Sequence, residues 1–127
     1  MSVLHSMIGF LTTTDTTKSK AFFTGVLAFP LISEDDWGMT FNANGTRLRI
    51  VKAVSFTPAQ GTVLGWNVLD IHTAVRELTA HGVQFEQYNL PYMKQDIHGV
   101  WDTGSGDFVA WFKDPDGNVL SVSQHEN

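Results

Sequence analysis

Met7-Ile8-Gly9-Phe10-Leu11-Thr12-Thr13-Thr14-Asp15 and Thr62-Val63-Leu64-Gly65-Trp66-Asn67-Val68-Leu69-Asp70 carry the same signal. Each is an apolar run that ends on an aspartate. An aspartate at such a point caps a helix, because its carboxylate accepts the N–H groups that the first turn leaves unpaired. After Asp70, Ile71, Ala74, Val75 and Leu78 fall on one helical face, and Gly82 supplies the left-handed residue that ends the helix. After Asp15, Phe22, Phe23, Val26 and Leu27 form a similar stripe, with Gly25 weakening the last turn.

Short strands follow in each half, near 29–33, 38–41 and 46–52, then near 83–88, 108–113 and 118–123. The turns Asn42-Ala43-Asn44-Gly45 and Asp114-Pro115-Asp116-Gly117 join the last pair of each half. Both carry Asn or Asp and end in Gly, the residues that tolerate turn backbone angles. Asp15 and Asp70 are 55 residues apart, whereas Gly45 and Gly117 are 72 apart. The stretch 89–107 absorbs the difference, and with Pro91 and little periodicity it reads as a loop or lid. The order strand, helix, three strands therefore occurs twice. The expected fold is α+β, two βαβββ modules forming a curved mixed sheet around a cup-shaped cavity, with the helices outside. The chain reads as one domain, 1–127, with module one at about 3–55 and module two at about 60–125.

A net charge of -5 with no basic cluster argues against nucleic acid. No apolar run approaches a membrane span, and the N-terminal residues lack the basic segment of a signal peptide. With no cysteine, neither disulfides nor thiolate metal sites are possible, and a cytoplasmic location is expected. Low charge, four Trp and nine Phe fit extra apolar surface, either a lined pocket or a subunit interface, or simply an aromatic core.

The segment Ala110-Trp111-Phe112-Lys113-Asp114-Pro115-Asp116-Gly117-Asn118-Val119-Leu120 resembles the C-terminal signature of the glyoxalase/bleomycin-resistance/dioxygenase superfamily, the vicinal oxygen chelate fold. Lys20-Ala21-Phe22-Phe23 and Val26-Leu27-Ala28-Phe29 are similar to its first-helix signature, with Phe23 where Tyr is commoner and Ala28 where Gly is usual. Val68-Leu69-Asp70-Ile71 resembles the start of its second module. The resemblance implies a paired βαβββ architecture, often dimeric, with a cup-shaped site. Its members include metal-dependent lyases, isomerases and dioxygenases, and metal-free proteins that sequester drugs, so the fold alone selects no function.

In metal-bearing relatives one ligand lies on each module's first strand and one on each last strand. The resemblance puts these positions at Ile8, Val63, Arg49 and Ser121. None is a usual metal ligand, and the neighbouring positions carry no His, Asp or Glu. A fixed cation about 4 Å from a dication is repelled by several kcal/mol even at an effective dielectric near 20. No metal and no cofactor are expected. His5, His72, His81 and His125 read as surface or structural histidines, and His98 lies in the lid.

Strand alternation places Ile8, Phe10, Thr12, Thr40, Arg47 and Arg49 on the cup side of module one. It places Val63, Gly65, Asn67, Phe108, Ala110, Phe112, Ser121 and Ser123 there in module two, with Trp66 and Trp111 facing the core. The expected ligand-binding residues are Arg49, Phe10, Thr12, Asn67, Phe112, Ser121, Trp101 and His98. Arg47 and Arg49 are suited to a carboxylate or phosphate, and the alternative is that both pair with Glu34, Asp35 or Asp36 at the sheet edge. No nucleophile–base constellation is read: Ser121 and Ser123 count as having no histidine close in sequence, and Asp96, Asp102 and Asp107 in the lid are candidate bases only if buried. The leading function is a homodimeric, metal-free protein that binds or sequesters a small apolar or weakly anionic molecule. The alternatives are a glyoxalase-type lyase or isomerase or a dioxygenase-related enzyme, and an interaction module with no small ligand.

Overall fold

The computed structural model describes residues 2–126, and the backbone divides between Thr57 and Pro58 into two compact units. The first holds β1 (Ile8–Thr13), α1 (Thr16–Ala21), a π-helical turn (Phe22–Val26), β2 (Leu31–Asp35), β3 (Gly38–Ala43) and β4 (Thr46–Lys52). Its sheet runs β1-β4-β3-β2, with β1 parallel to β4 and the other pairs antiparallel.

Asp15 caps α1 as expected, its carboxylate accepting the Lys18 N–H at 3.1 Å. The helix is shorter than its apolar stripe. The Thr24 hydroxyl donates to the Lys20 carbonyl at 2.7 Å, a local bond that competes with the helical ladder. The chain widens there, so that the Leu27 N–H reaches the Phe22 carbonyl at 3.0 Å. Phe23 is therefore the one fully buried member of its stripe, with its ring centroid 5.7 Å from that of Phe41. Alternation along the sheet sends Leu11, Met39, Phe41, Leu48 and Ile50 into the core on that side. Each such side chain contributes on the order of 2 kcal/mol by leaving water. Asn44 and Gly45 both have positive φ, 58° and 103°, as a two-residue turn between paired Ala43 and Thr46 requires.

The second unit holds β5 (Thr62–Asn67), α2 (Ile71–Ala80), β6 (Trp101–Asp102), β7 (Phe108–Lys113) and β8 (Val119–Gln124). Its sheet runs β5-β8-β7-β6, again with a parallel first pair. Asp70 caps α2 by accepting the Thr73 N–H at 3.0 Å, which holds its carboxyl below the usual range. Gly82, with φ 105°, ends the helix as expected. Ile71 and Val75 of α2 face the buried Ala110, Phe112, Leu120 and Val122.

Two expectations fail in this unit. The segment 83–88 is not a strand. Phe85 makes a single bridge to Phe112, the Glu86 N–H donates to the Trp111 carbonyl at 2.8 Å, and the chain then leaves the sheet. The remaining edge of β7 is taken by Trp101–Asp102, from the stretch expected to be a lid. That stretch is also anchored, because Met93 and Val100 are buried. The Gln95 amide donates to the carbonyls of Glu86 and Gly99, each at 2.8 Å, and accepts the Tyr88 N–H.

The second failure is one of parity. Trp111 pairs with Ser121 and Phe112 with Leu120, so Phe108, Ala110 and Phe112 face the core and Val109, Trp111 and Lys113 face outward. The expectation of Phe108, Ala110 and Phe112 on the cup side, with Trp111 in the core, is thus reversed. Lys113 pairs with Val119, leaving five residues in the turn, where module one leaves two. An odd loop in place of an even one moves every side chain of the strand before it to the other face.

Candidate ligand-binding faces

Each unit covers one face of its sheet with a helix and leaves the other face open. In the first unit the open face is built from alternate residues of β1, β4 and β3. Register places Ile8 beside Arg47, Phe10 beside Arg49, and Thr40 on the far side of Arg49. Phe10 is 63% exposed, an unusual state for a phenylalanine in mid-strand. Thr12 continues this row and is half-buried.

Arg49 is not free. Its Nη2 donates to both carboxylate oxygens of Asp35, at 2.9 and 3.1 Å, and its Nη1 donates to the Thr40 hydroxyl at 3.2 Å. The ion pair expected as the alternative at the sheet edge is thus present for Arg49. The Arg49 hydrogen bond, helped by the Trp37 N–H, holds the Asp35 carboxyl below the usual range. Arg47, two residues along on the same face, has no ion-pair partner among the described residues.

In the second unit one row crosses all four strands: Asn67, Ser123, Val109 and Trp101. The row beside it holds Gly65, Ser121 and Trp111. A side chain at Gly65 would meet the Ser121 hydroxyl at 2.5 Å, so these two residues share a face at close quarters. Trp111 stacks on Trp101 with ring centroids 6.0 Å apart, meets Tyr88 edge-on at 5.5 Å, and donates from Nε1 to the Thr62 hydroxyl at 2.9 Å. The open face is thus walled by aromatic rings and floored by small polar residues.

Of the expected site residues, Arg49, Phe10 and Thr12 lie on the open face of the first unit. Asn67, Ser121 and Trp101 lie on that of the second. Two do not belong with them. Phe112 is 1% exposed and packs beneath the sheet against Phe85. His98 lines a cleft of about 200 Å³ against α2, with His72, Val75, Arg76, Thr79 and Val100, on the helix side. Its loop is turned there by Asp96, whose carboxylate accepts the His98 and Val100 N–H groups.

Sequence reasoning missed Trp111, for the parity reason above, and a chain of three polar groups. The Ser123 hydroxyl lies 2.9 Å from His125 Nε2, and His125 Nδ1 lies 3.2 Å from an Asp107 carboxylate oxygen. The available signal was the spacing Ser123-x-His125 at the end of the last strand, which brings a hydroxyl and an imidazole within reach of each other.

The positions that the resemblance implies for ligands hold an alkyl group and a guanidinium tied to Asp35 in the first unit, Ile8 and Arg49, and an alkyl group and a hydroxyl in the second, Val63 and Ser121. In neither unit do these side chains fit a divalent ion. Among the described residues no three His, Asp or Glu side chains come together as a possible metal site. No helix among them is long and apolar enough to cross a membrane.

Two βαβββ modules, each with one helix-covered face and one open face, define a glyoxalase-like α+β fold. The chain belongs to the Glyoxalase/Bleomycin resistance protein/Dioxygenase superfamily, whose family model matches residues 3–122. Solved structures agree at the level of fold. A glyoxalase family protein from Bacillus anthracis superposes with a TM-score of 0.73 at 15% identity, covering 99% of this chain and 98% of that one. The antibiotic-binding protein TnmS3 from Streptomyces sp. CB03234 gives 0.69 at 22% identity, covering 99% of both chains. The fosfomycin resistance protein FosX from Listeria monocytogenes gives 0.70 at 15% identity, covering 99% and 95%. Comparison with curated protein sequences finds no match.

Proposed function

We propose that this chain binds or sequesters a small apolar or weakly anionic molecule on its open sheet faces, without a metal. The observation that carries the reading is the exposed Phe10 side chain beside Arg49, with Arg47 two residues along on the same face. Asp35 and Thr40 hold Arg49 in one orientation, and its remaining donors are free to meet an anion without the entropy cost of ordering the side chain. The aromatic wall of Trp101, Trp111 and Tyr88 offers a second apolar surface. The antibiotic-binding structural neighbour supports the same direction.

A thermal-shift screen with apolar compounds and weak organic acids tests the proposal. A ligand at about 100 times its Kd stabilises by about 2.7 kcal/mol. Phe10→Ala and Arg47→Ala should weaken that stabilisation while leaving the unliganded melting temperature nearly unchanged. Stoichiometric divalent metal retained through purification without chelator would overturn the metal-free reading.

The same reading includes a homodimer. Leu31, Ile32 and Trp37 are exposed at the β2 edge of the first sheet, with Trp37 75% exposed, and a second copy covering that edge would remove them from water.

A further inference from the structure

We infer that the open face of the second unit carries an ester-cleaving site, with Ser123 as nucleophile, His125 as general base, Asp107 as its orienting carboxylate and Asn67 as oxyanion donor. The inference starts from register. Val109 pairs with Ser123 across β7 and β8, and continuing that ladder past the strand ends sets Asp107 opposite His125. Ser123 is in β8 and faces the open side, and His125, one residue past the end of that strand, turns its ring to the Ser123 hydroxyl. The last paired residues, Phe108 and Gln124, thus bring Asp107 and His125 within reach of each other, and the side-chain contacts join them to Ser123. Their contacts have the polarity that acyl transfer needs, with Nε2 toward the hydroxyl at 2.9 Å and Nδ1 toward the carboxylate at 3.2 Å. With Nδ1 protonated and donating to Asp107, Nε2 is left as the acceptor for the Ser123 proton.

The fourth group comes from the other neighbouring strand. Asn67 pairs with Ser123 across β5 and β8, one strand spacing of about 4.8 Å away. Its side chain is exposed on the same face, where its amide can donate to an oxygen forming beside Ser123. Val109 and Trp101 complete the row on the opposite side and Trp111 stacks on Trp101, giving an apolar bed for one end of a substrate. The substrate class that fits is an ester with an apolar or aromatic group. His125 and Asp107 are half-exposed, at 49% and 38%, which leaves room for water to enter for the second half-reaction.

The step balances without a co-reactant other than water. Ser123 Oγ bonds to the carbonyl carbon as its proton passes to His125 Nε2, and the carbonyl electron pair moves to the oxygen facing Asn67. Collapse breaks the bond to the alkoxy oxygen, which leaves with the proton from His125. Water then adds to the acyl-serine, gives a proton to His125, and releases the acid as Ser123 recovers its proton.

The test uses the full chain with a fluorophosphonate label and p-nitrophenyl butyrate. Mass spectrometry should find a single phosphonyl group on Ser123. Ser123→Ala should abolish labelling and lower ester hydrolysis about 100-fold, and His125→Gln should slow both to a similar degree. Asn67→Ala should lower kcat about 100-fold with little change in KM. As a positioning residue, Asp107 should be rescued in part by Asp107→Glu but not by Asp107→Ala. Circular dichroism checks that the variants fold, and the labelled position in the unaltered chain decides the matter if one does not. No label on Ser123, a labelling rate unchanged in His125→Gln, or hydrolysis that persists in Ser123→Ala would each overturn the inference and leave a surface hydrogen-bond chain.

Discussion

Gly38 lies so close to Ile50 that a β-carbon on residue 38 would overlap the Ile50 carbonyl oxygen. The obstacle is backbone in the middle of the sheet, where Met39 pairs with Ile50 and Gly38 with Val51, so it cannot rotate away. Gly38→Ala should therefore destabilise the chain by about 3 kcal/mol. Urea unfolding measures this, and a loss below about 1 kcal/mol would show that the β3–β4 ladder yields more readily than packed backbone does.

Ala28 follows the π-helical turn with φ 60°, the left-handed conformation usually reserved for glycine after a helix. A β-carbon in that conformation costs roughly 1–2 kcal/mol, part of which glycine returns as extra freedom in the unfolded chain. Ala28→Gly should raise stability by about 0.5–1 kcal/mol, read as a melting temperature a few degrees higher.

Ser19 is fully buried in α1, and its hydroxyl has no hydrogen-bond partner. An unpaired buried hydroxyl costs about 1–3 kcal/mol, and alanine also has the better helix propensity. Ser19→Ala should stabilise by about 1 kcal/mol in the same unfolding experiment. A loss would mean that the hydroxyl has a partner in solution.

Asp114 and Asn118 close the five-residue turn from both ends. Asp114 accepts the Asn118 N–H and the Asn118 side-chain amide, each at 2.9 Å. Burial nevertheless holds the Asp114 carboxyl above its ordinary value of 3.8. The folded chain thus binds this proton more tightly than the unfolded chain does. The resulting stabilisation is full below pH 3.8 and is lost as pH rises through the raised native pKa. The stability of the natural chain relative to Asp114→Asn should fall across that acid window and be flat at neutral pH. A pH-independent difference would show that the turn's hydrogen bonds fully offset the burial.

Light scattering at micromolar concentration should give twice the chain mass of 14.1 kDa. Ile32→Lys together with Trp37→Lys should return it to the monomer mass, because two charges would then sit in an apolar contact. A monomer before substitution would remove the dimer from the proposal.

What the sequence determined by itself was local. The caps at Asp15 and Asp70, the glycine after α2, the Asn44-Gly45 turn and the positions of β4 and β7 each depend on residues a few places apart, and each was legible. The repetition of these signals was enough to indicate two βαβββ modules. The open face of the first unit was legible too, because a two-residue turn keeps strand parity.

Tertiary structure decided which partner each group finds. A turn of five residues at 114–118, where module one has two, reversed β7, burying Phe112 and exposing Trp111. The edge beside β7 went mainly to Trp101–Asp102 rather than to 83–88, because Gln95 and buried Met93 and Val100 stabilise the excursion between them. Arg49 found Asp35, and His125 found Asp107, across 14 and 18 residues of chain. Such pairings depend on register and loop length rather than on local propensity, so the residue types name the chemistry that is possible and the packed backbone selects which of it is assembled.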